Sequence, residues 1–130
     1  NPFADYQPSR QALVHRLKQT LLNLSLRLRE SYVLQGASEA GMARTIAENV
    51  GPLRASAAAL LDLRGDRAGS PKQALQKIVE SLPGDNWSEL LARLSMAREK
   101  RALPQGEVGD TFMRLQELTS HLRAEAEKLA

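Results

Sequence analysis

The chain contains no cysteine, only two histidines and few aromatic residues among its 130 residues. The absence of cysteine excludes disulfides, thiolate metal sites and a cysteine nucleophile. No apolar run reaches the roughly 18 residues that span a membrane. The net charge of +3 is too small to indicate nucleic-acid binding by itself. These absences leave a globular domain with few groups that could carry chemistry.

Leucine and alanine dominate the composition, with 22 and 18 copies, whereas aromatic residues make up 4%. Strands favour β-branched and aromatic residues, so this composition favours an all-α fold. A mass of 14.3 kDa corresponds to one domain that is large enough to bury a core. Because the first residue is Asn1 rather than Met, we expect a processed or excised piece of a longer protein.

Apolar spacing and helix breakers predict five helices after an extended lead-in at residues 1–8. The helices are expected over residues 9–35, 38–63, 70–82, 86–101 and 110–129. Pro52 predicts a kink or a break in the second helix. The apolar residues before and after Pro52 keep one continuous helical spacing, which favours a single kinked helix. The prediction is a single helical bundle over residues 9–130, mostly antiparallel because the connections are short.

Capping residues mark several predicted helix starts. Ser9 can cap the first helix with its hydroxyl. Ser70 and Gln73 have the capping-box spacing at the start of the third helix, and Asn86 with Glu89 repeats it at the fourth. These patterns predict where the chain turns into each helix.

The first helix carries two apolar stripes. At about 100° per residue, seven large apolar side chains share the face that a core requires. They are Leu13, Val14, Leu17, Leu21, Leu24, Leu28 and Tyr32. A second stripe, here called the outer stripe, lies across the helix and consists of His15, Leu22, Leu26 and Val33. We expect the outer stripe to be an interaction surface; the alternative is that the second helix, or Phe3 and Tyr6 of the lead-in, covers it within the monomer.

The cationic residues of the first helix suggest a second kind of contact. Arg16, Lys18 and Arg29 belong to a cationic excess on this helix, which predicts contact with an anionic ligand. Nucleic acid is a weaker candidate than protein, because few aromatic side chains are present for base stacking. Two distant histidines form no metal-ligand spacing, and the glycines form no phosphate loop, so we expect no metal and no cofactor. We also expect a cytoplasmic location and no membrane partner.

Two Arg–His pairs resemble the signature of helical ribonucleases of the HEPN type. Arg10 precedes His15, and Arg114 precedes His121, at close to the spacing of that signature. In such an enzyme histidine would transfer protons and arginine would stabilise the phosphate charge. The alternatives are an exposed His121 that pairs with neighbouring glutamates and a partly buried His15 at a helix edge. A small ribonuclease is therefore the second functional hypothesis.

Five segments together resemble a known kind of domain. They are residues 2–4, 21–32, 52–55, 60–65 and 70–71, which hold the lead-in, leucine-rich helix motifs and a Ser-Pro helix start. In this order they resemble the helical C-terminal domain that follows the nucleotidyltransferase domain in a group of bacterial proteins.

In those proteins the metal-binding carboxylates and the Gly-Ser pair that contacts phosphate lie in the preceding domain. The resemblance therefore implies no catalytic residue in this chain. It implies a non-catalytic accessory domain that packs on, or presents substrate to, a catalytic domain outside this chain. The third hypothesis is a stand-alone homo-oligomer that uses the outer stripe as its interface.

Overall fold

The structure, a computed structural model, describes residues 9–35, 38–67 and 69–129. Within these residues the chain forms five α-helices and no strand. The helices are α1 (Arg10–Gln35), α2 (Glu39–Leu63), α3 (Pro71–Glu80), α4 (Trp87–Lys100) and α5 (Val108–Glu127). The prediction of an all-α bundle of about five helices is confirmed. The predicted lead-in at residues 1–8 lies outside the described residues.

The central helix of the bundle is α2, because it packs against each of the other four helices. Its buried side chains cover roughly two thirds of the helix circumference, at about 100° per residue. Ile46, Leu53 and Leu60 are among the largest fully buried side chains of the protein. The small buried residues Ala43 and Ala57 allow neighbouring helices to approach closely. The hydrophobic core therefore surrounds α2.

The helix α1 packs against α2 and α5, and the predicted contact between the first and last helices is confirmed. Two ion pairs link α5 to its neighbours. Lys18 Nζ on α1 lies 3.4 Å from Glu127 Oε2, and Arg64 Nη2, just after α2, lies 3.0 Å from Glu125 Oε1. The α1–α5 side of the bundle is thus held by apolar packing with charged contacts at its edge.

Serine caps begin three of the helices. The backbone N–H of Ala12 donates to Ser9 Oγ at 3.1 Å, so the predicted cap of α1 is confirmed. Ser70 Oγ accepts from the Gln73 N–H at 3.2 Å, and Gln73 Oε1 accepts from the Ser70 N–H at 3.0 Å. These two bonds confirm the capping box of α3. Ser38 Oγ accepts from the Gly41 N–H and thereby caps α2 with a single bond.

The capping box predicted at α4 is wrong. Asn86 has a φ angle of 66°, in the left-handed region, and its side chain makes no capping hydrogen bond. A capping residue needs an extended backbone to direct its side chain at the first helical N–H groups. Glu89 instead pairs with Arg93, with 2.8 Å between Oε1 and Nη2.

Pro52 lies inside α2 without interrupting it. Of the two predicted outcomes, a kink and a break, the break is therefore wrong. Gly51 precedes the proline, and a side-chain carbon at that position would collide with the guanidinium group of Arg98 on α4. The Arg98 side chain of α4 thus lies against the surface of α2 at the Gly-Pro pair.

Tyr32 does not belong to the core stripe, because 53% of it is exposed. Its ring lies at the edge of the bundle, with its centroid 6.1 Å from that of Phe112. The neighbouring Ser31 is buried instead, and its hydroxyl lies 2.5 Å from the hydroxyl of Thr45 on α2. The last turns of α1 therefore contact α2 through a polar pair, and the aromatic ring stays at the rim.

We predict that two leucines of α1 differ sharply in their contribution to stability. Leu21 is 1% exposed and Leu26 is 48% exposed, although both lie on the same helix. Leu21→Ala should lower the free energy of unfolding by about 2–5 kcal/mol, and Leu26→Ala by less than about 1 kcal/mol. Urea unfolding followed by circular dichroism measures both. Equal costs would show that the outer stripe is packed within the chain.

We predict a pH-dependent contribution from Glu125. A hydrogen bond with Lys128 lowers the pKa of Glu125 below its ordinary value of 4.5; burial opposes this, and the bond from Arg64 lowers the pKa further. A lowered folded-state pKa adds stability above the unfolded pKa, and this stability is lost as the pH falls through the folded pKa.

Glu125→Gln should therefore lower the free energy of unfolding by about 0.5–1 kcal/mol at pH 7. The difference from the unsubstituted chain should shrink as the pH falls below 4.5. Urea titrations at several pH values measure this. A difference that stays constant with pH would assign the effect to packing instead of charge.

Candidate functional site

The outer stripe lies on the solvent side of α1, across the helix from its contacts with α2 and α5. Val33 is 77% exposed, Leu26 is 48% exposed, His15 is exposed and Leu22 is half-buried. Leu34 is 74% exposed at the C-terminal end of α1, but it points about 100° away from Val33 around the helix. The structure therefore places all four predicted residues along one side of one helix.

The exposure of this stripe is energetically unusual for a helix whose other face is fully packed. Each aliphatic side chain left in water forgoes about 1.5–3 kcal/mol of burial. Leu22 and Leu26 are one turn apart, and Val33 lies about two turns further along the same side. Exposed apolar side chains that share one side of a helix are typical of an interaction site, although Arg29 and Glu30 lie between Leu26 and Val33 here.

The predicted anion-contact residues of α1 do not form one cluster. Lys18 and Arg29 lie close to one direction around the helix, at about 100° per residue, but they are eleven positions apart. Arg16 points to a different side. Lys18 already contacts Glu127 of α5, whereas Arg16 and Arg29 are exposed. The anion contact on α1 stays a prediction, because Arg16, Lys18 and Arg29 do not converge on one binding position.

The structure brings Arg114 and His121 together on the ring of Trp87. The Arg114 guanidinium carbon lies 5.3 Å from the centre of the Trp87 ring, and His121 meets that ring edge-on at 5.6 Å between centroids. Arg114 also donates to the backbone carbonyls of Asp85 and Asn86, at 2.7 and 3.2 Å. Its guanidinium group thus holds the left-handed turn at Asn86 and the start of α4.

The other pair, Arg10 and His15, is not brought together. The two residues point about 140° apart around α1. Arg10 Nη1 donates to the carbonyl of Leu63 at 2.7 Å, across the ends of α1 and α2, and His15 is exposed. The Arg10–His15 pair is therefore not arranged as phosphate-bond cleavage would require, and Arg114 uses two of its five guanidinium N–H groups on backbone carbonyls.

A groove between α3 and α4 is a feature that the sequence pattern does not predict. It has a volume of about 790 Å³, and residues from α2, α3 and α4 line it. Trp87 lies at the end near the α3–α4 connection, and Arg54 of α2 enters it from the side. No local motif marks this groove, because its lining residues are spread over three helices.

Two further properties concern metals and membranes. Among the described residues, no group of three or more His, Asp or Glu side chains is placed to hold a metal ion. None of the helices that the structure describes combines the length and the apolar character needed to cross a membrane.

We predict that Arg114 is a structural residue. Arg114→Gln removes the contact with the Trp87 ring and leaves the Asp85 and Asn86 carbonyls without their donor. The free energy of unfolding should fall by about 1–2 kcal/mol. Thermal unfolding by circular dichroism measures the loss, with the exposed Arg44→Gln as a matched control that should change little. Equal stability of the two variants would contradict this role.

Comparison with known proteins supplies no relative from which function could be carried over. The chain matches no protein-family model, no curated protein and no solved structure. Function is therefore argued from the surfaces of the bundle itself.

Proposed function

We propose that this chain is a non-catalytic helical accessory domain that packs, through the outer stripe of α1, on a nucleotidyltransferase-like domain outside the chain. The observation that carries the proposal is the exposure of Leu26 and Val33 on a helix whose opposite face is buried. The resemblance of the leucine-rich segments to domains that follow nucleotidyltransferase domains supports the choice of partner. In this role the chain positions the catalytic domain or presents substrate to it.

The shape of α1 fits this role. Leu21, Leu24 and Leu28 hold the helix rigidly in the bundle, since each is at most 2% exposed. A partner would therefore meet a preformed apolar surface and would order few side chains on binding. The flanking charges of Lys18, Arg29 and Glu30 would form the polar rim that interfaces usually have.

The ribonuclease hypothesis is less well supported. Arg114 uses two of its five guanidinium N–H groups on the Asp85 and Asn86 carbonyls and lies on the Trp87 ring, which supports a structural role at the start of α4. RNA incubated with the chain and with a His121→Ala variant tests this hypothesis. Cleavage by the unsubstituted chain that disappears in the variant would overturn the accessory role.

The decisive test adds charge to the outer stripe. Leu22→Glu combined with Leu26→Glu should leave the isolated chain folded, because Leu26 is half-exposed and Leu22 is not fully buried. The same pair should abolish association with the partner, since two carboxylates would have to be buried in an apolar interface. The matched control is Gln11→Glu with Asn23→Glu, which adds the same charge at exposed polar positions of α1.

The binding partner in this test is the nucleotidyltransferase-like domain of the parent protein that the proposal requires, expressed as a separate polypeptide. Calorimetry should show binding by the unsubstituted chain and by the control, and none by the Leu22 and Leu26 variant. Unfolding of that variant would show that the stripe is ordinary core. A parent protein without a nucleotidyltransferase-like domain would contradict the proposed partner.

The homo-oligomer hypothesis uses the same surface and gives a different result. Sedimentation of the chain alone should show a monomer if the outer stripe serves a different domain. A dimer that dissociates when Leu22 and Leu26 are substituted would show that the partner of the outer stripe is a second copy of the chain and not a catalytic domain.

A further inference from the structure

The groove between α3 and α4 has one end rich in cations. Arg54 enters from α2, Lys72 lies in the first turn of α3, and Lys100 is the last residue of α4. These three residues are here called the cationic end, which lies away from the α3–α4 connection. Glu99 is the carboxylate at this end, while Glu80 lies beside the connection at the other end. The lining at this end therefore includes three positive charges and one negative charge.

The charges of the cationic end are not neutralised by ion pairs. Within the described part of the chain, Arg54, Lys72 and Lys100 have no carboxylate oxygen within 4.0 Å. In contrast, Arg93 contacts both Glu89 and Asp110 at 2.8 Å. The cationic end thus keeps a positive potential that an anion could satisfy.

Arg54 is held in place and still has donors to offer. Its Nη2 donates to Ser95 Oγ on α4 at 2.9 Å, which uses one of five guanidinium N–H groups. Burial lowers the pKa of Arg54, the charge of Arg98 lowers it further, and Glu99 acts in the opposite direction. A guanidinium group stays protonated at neutral pH, so burial beside a second arginine makes an added anion more favourable there.

The rest of the groove combines aliphatic side chains with the polar residues Gln76, Glu80 and Ser88. Its floor consists of Leu75, Val79, Leu91 and Leu94, here called the apolar floor. A volume of about 790 Å³ lies within the range of small-molecule sites, which combine an apolar lining with a few polar groups. The groove therefore suits a molecule with an apolar body and an anionic group at one end.

We propose that the α3–α4 groove binds a small organic phosphate. The phosphate group lies at the cationic end and the apolar body lies along the apolar floor. A phosphate monoester carries about −1.5 to −2 charges at neutral pH, so it matches three cations better than a single carboxylate does. This site is independent of the proposed function, because the outer stripe belongs to α1. Among the described residues, α1 packs on α2 and α5 and makes no contact with α3 or α4.

The test is a titration of the ¹⁵N-labelled chain with 1-naphthyl phosphate, followed by NMR. Trp87 is the single tryptophan of the chain and lines the groove, so its indole N–H is a unique reporter at one end. The amides of Ser95 and Lys100 report on the other end. Inorganic phosphate, 1-naphthol and 1-naphthoate test the charge and the apolar body separately, and each should bind more weakly than 1-naphthyl phosphate.

Two variants test the two halves of the site. Lys72→Gln with Lys100→Gln replaces exposed side chains, so the fold should persist, and the affinity should fall by about fivefold or more. The matched control, Arg67→Gln with Lys77→Gln, makes the same charge change at exposed positions outside the groove and should change the affinity less than about twofold. Ala92→Phe at an exposed lining position should fill the groove and weaken binding.

Several results would overturn the proposal. One is the absence of shifts at Trp87, Ser95 and Lys100 on addition of 1-naphthyl phosphate. Another is equal weakening by the groove variant and its control, which would indicate attraction to net charge alone. Binding of 1-naphthoate as tight as that of the phosphate would contradict the assigned ligand class, and full affinity in Ala92→Phe would contradict the groove as the location.

Discussion

The fold depends on the burial of α2 by four other helices. Residues such as Ile46, Leu53 and Leu60 need neighbours on several sides, because the buried surface covers most of the helix. The other helices satisfy this need by placing one apolar face each on α2, with α5 filling the space beside α1. Since α1 receives no further helix on its far side, the outer stripe of α1 stays uncovered by the described residues. The exposed surface is therefore a consequence of the arrangement that forms the core.

The bundle separates two kinds of surface. The outer stripe belongs to α1, while the α3–α4 groove is formed by the two helices that pack on α2 without contacting α1 among the described residues. A protein partner on α1 would therefore leave the groove open. Arg54 of α2 donates a hydrogen bond to Ser95 of α4 on the groove side. A small-molecule site and a docking surface can thus coexist on one domain of this size.

The sequence predicts the fold and the outer stripe because both depend on local periodicity. Leu21, Leu24 and Leu28 repeat at helical spacing, and Leu22 with Leu26 repeats on the other side. Tyr32 shows where this reasoning fails, because its burial depends on where the neighbouring helices end and not on its position around the helix. The capping pattern at Asn86 fails for a related reason: Arg114, 28 residues away, holds that turn. The groove escapes prediction entirely, because it exists only between three packed helices.

The proposed docking role depends on the outer stripe, which the described residues leave uncovered. The most direct measurement is the relaxation of methyl groups by a soluble paramagnetic agent, recorded by NMR at low protein concentration. Strong relaxation is expected for the methyl groups of Leu26 and Val33, and weak relaxation for those of Leu21 and Leu28, which are 1% exposed. Weak relaxation at Leu26 and Val33 would show that another part of the chain covers the stripe, and would contradict the account.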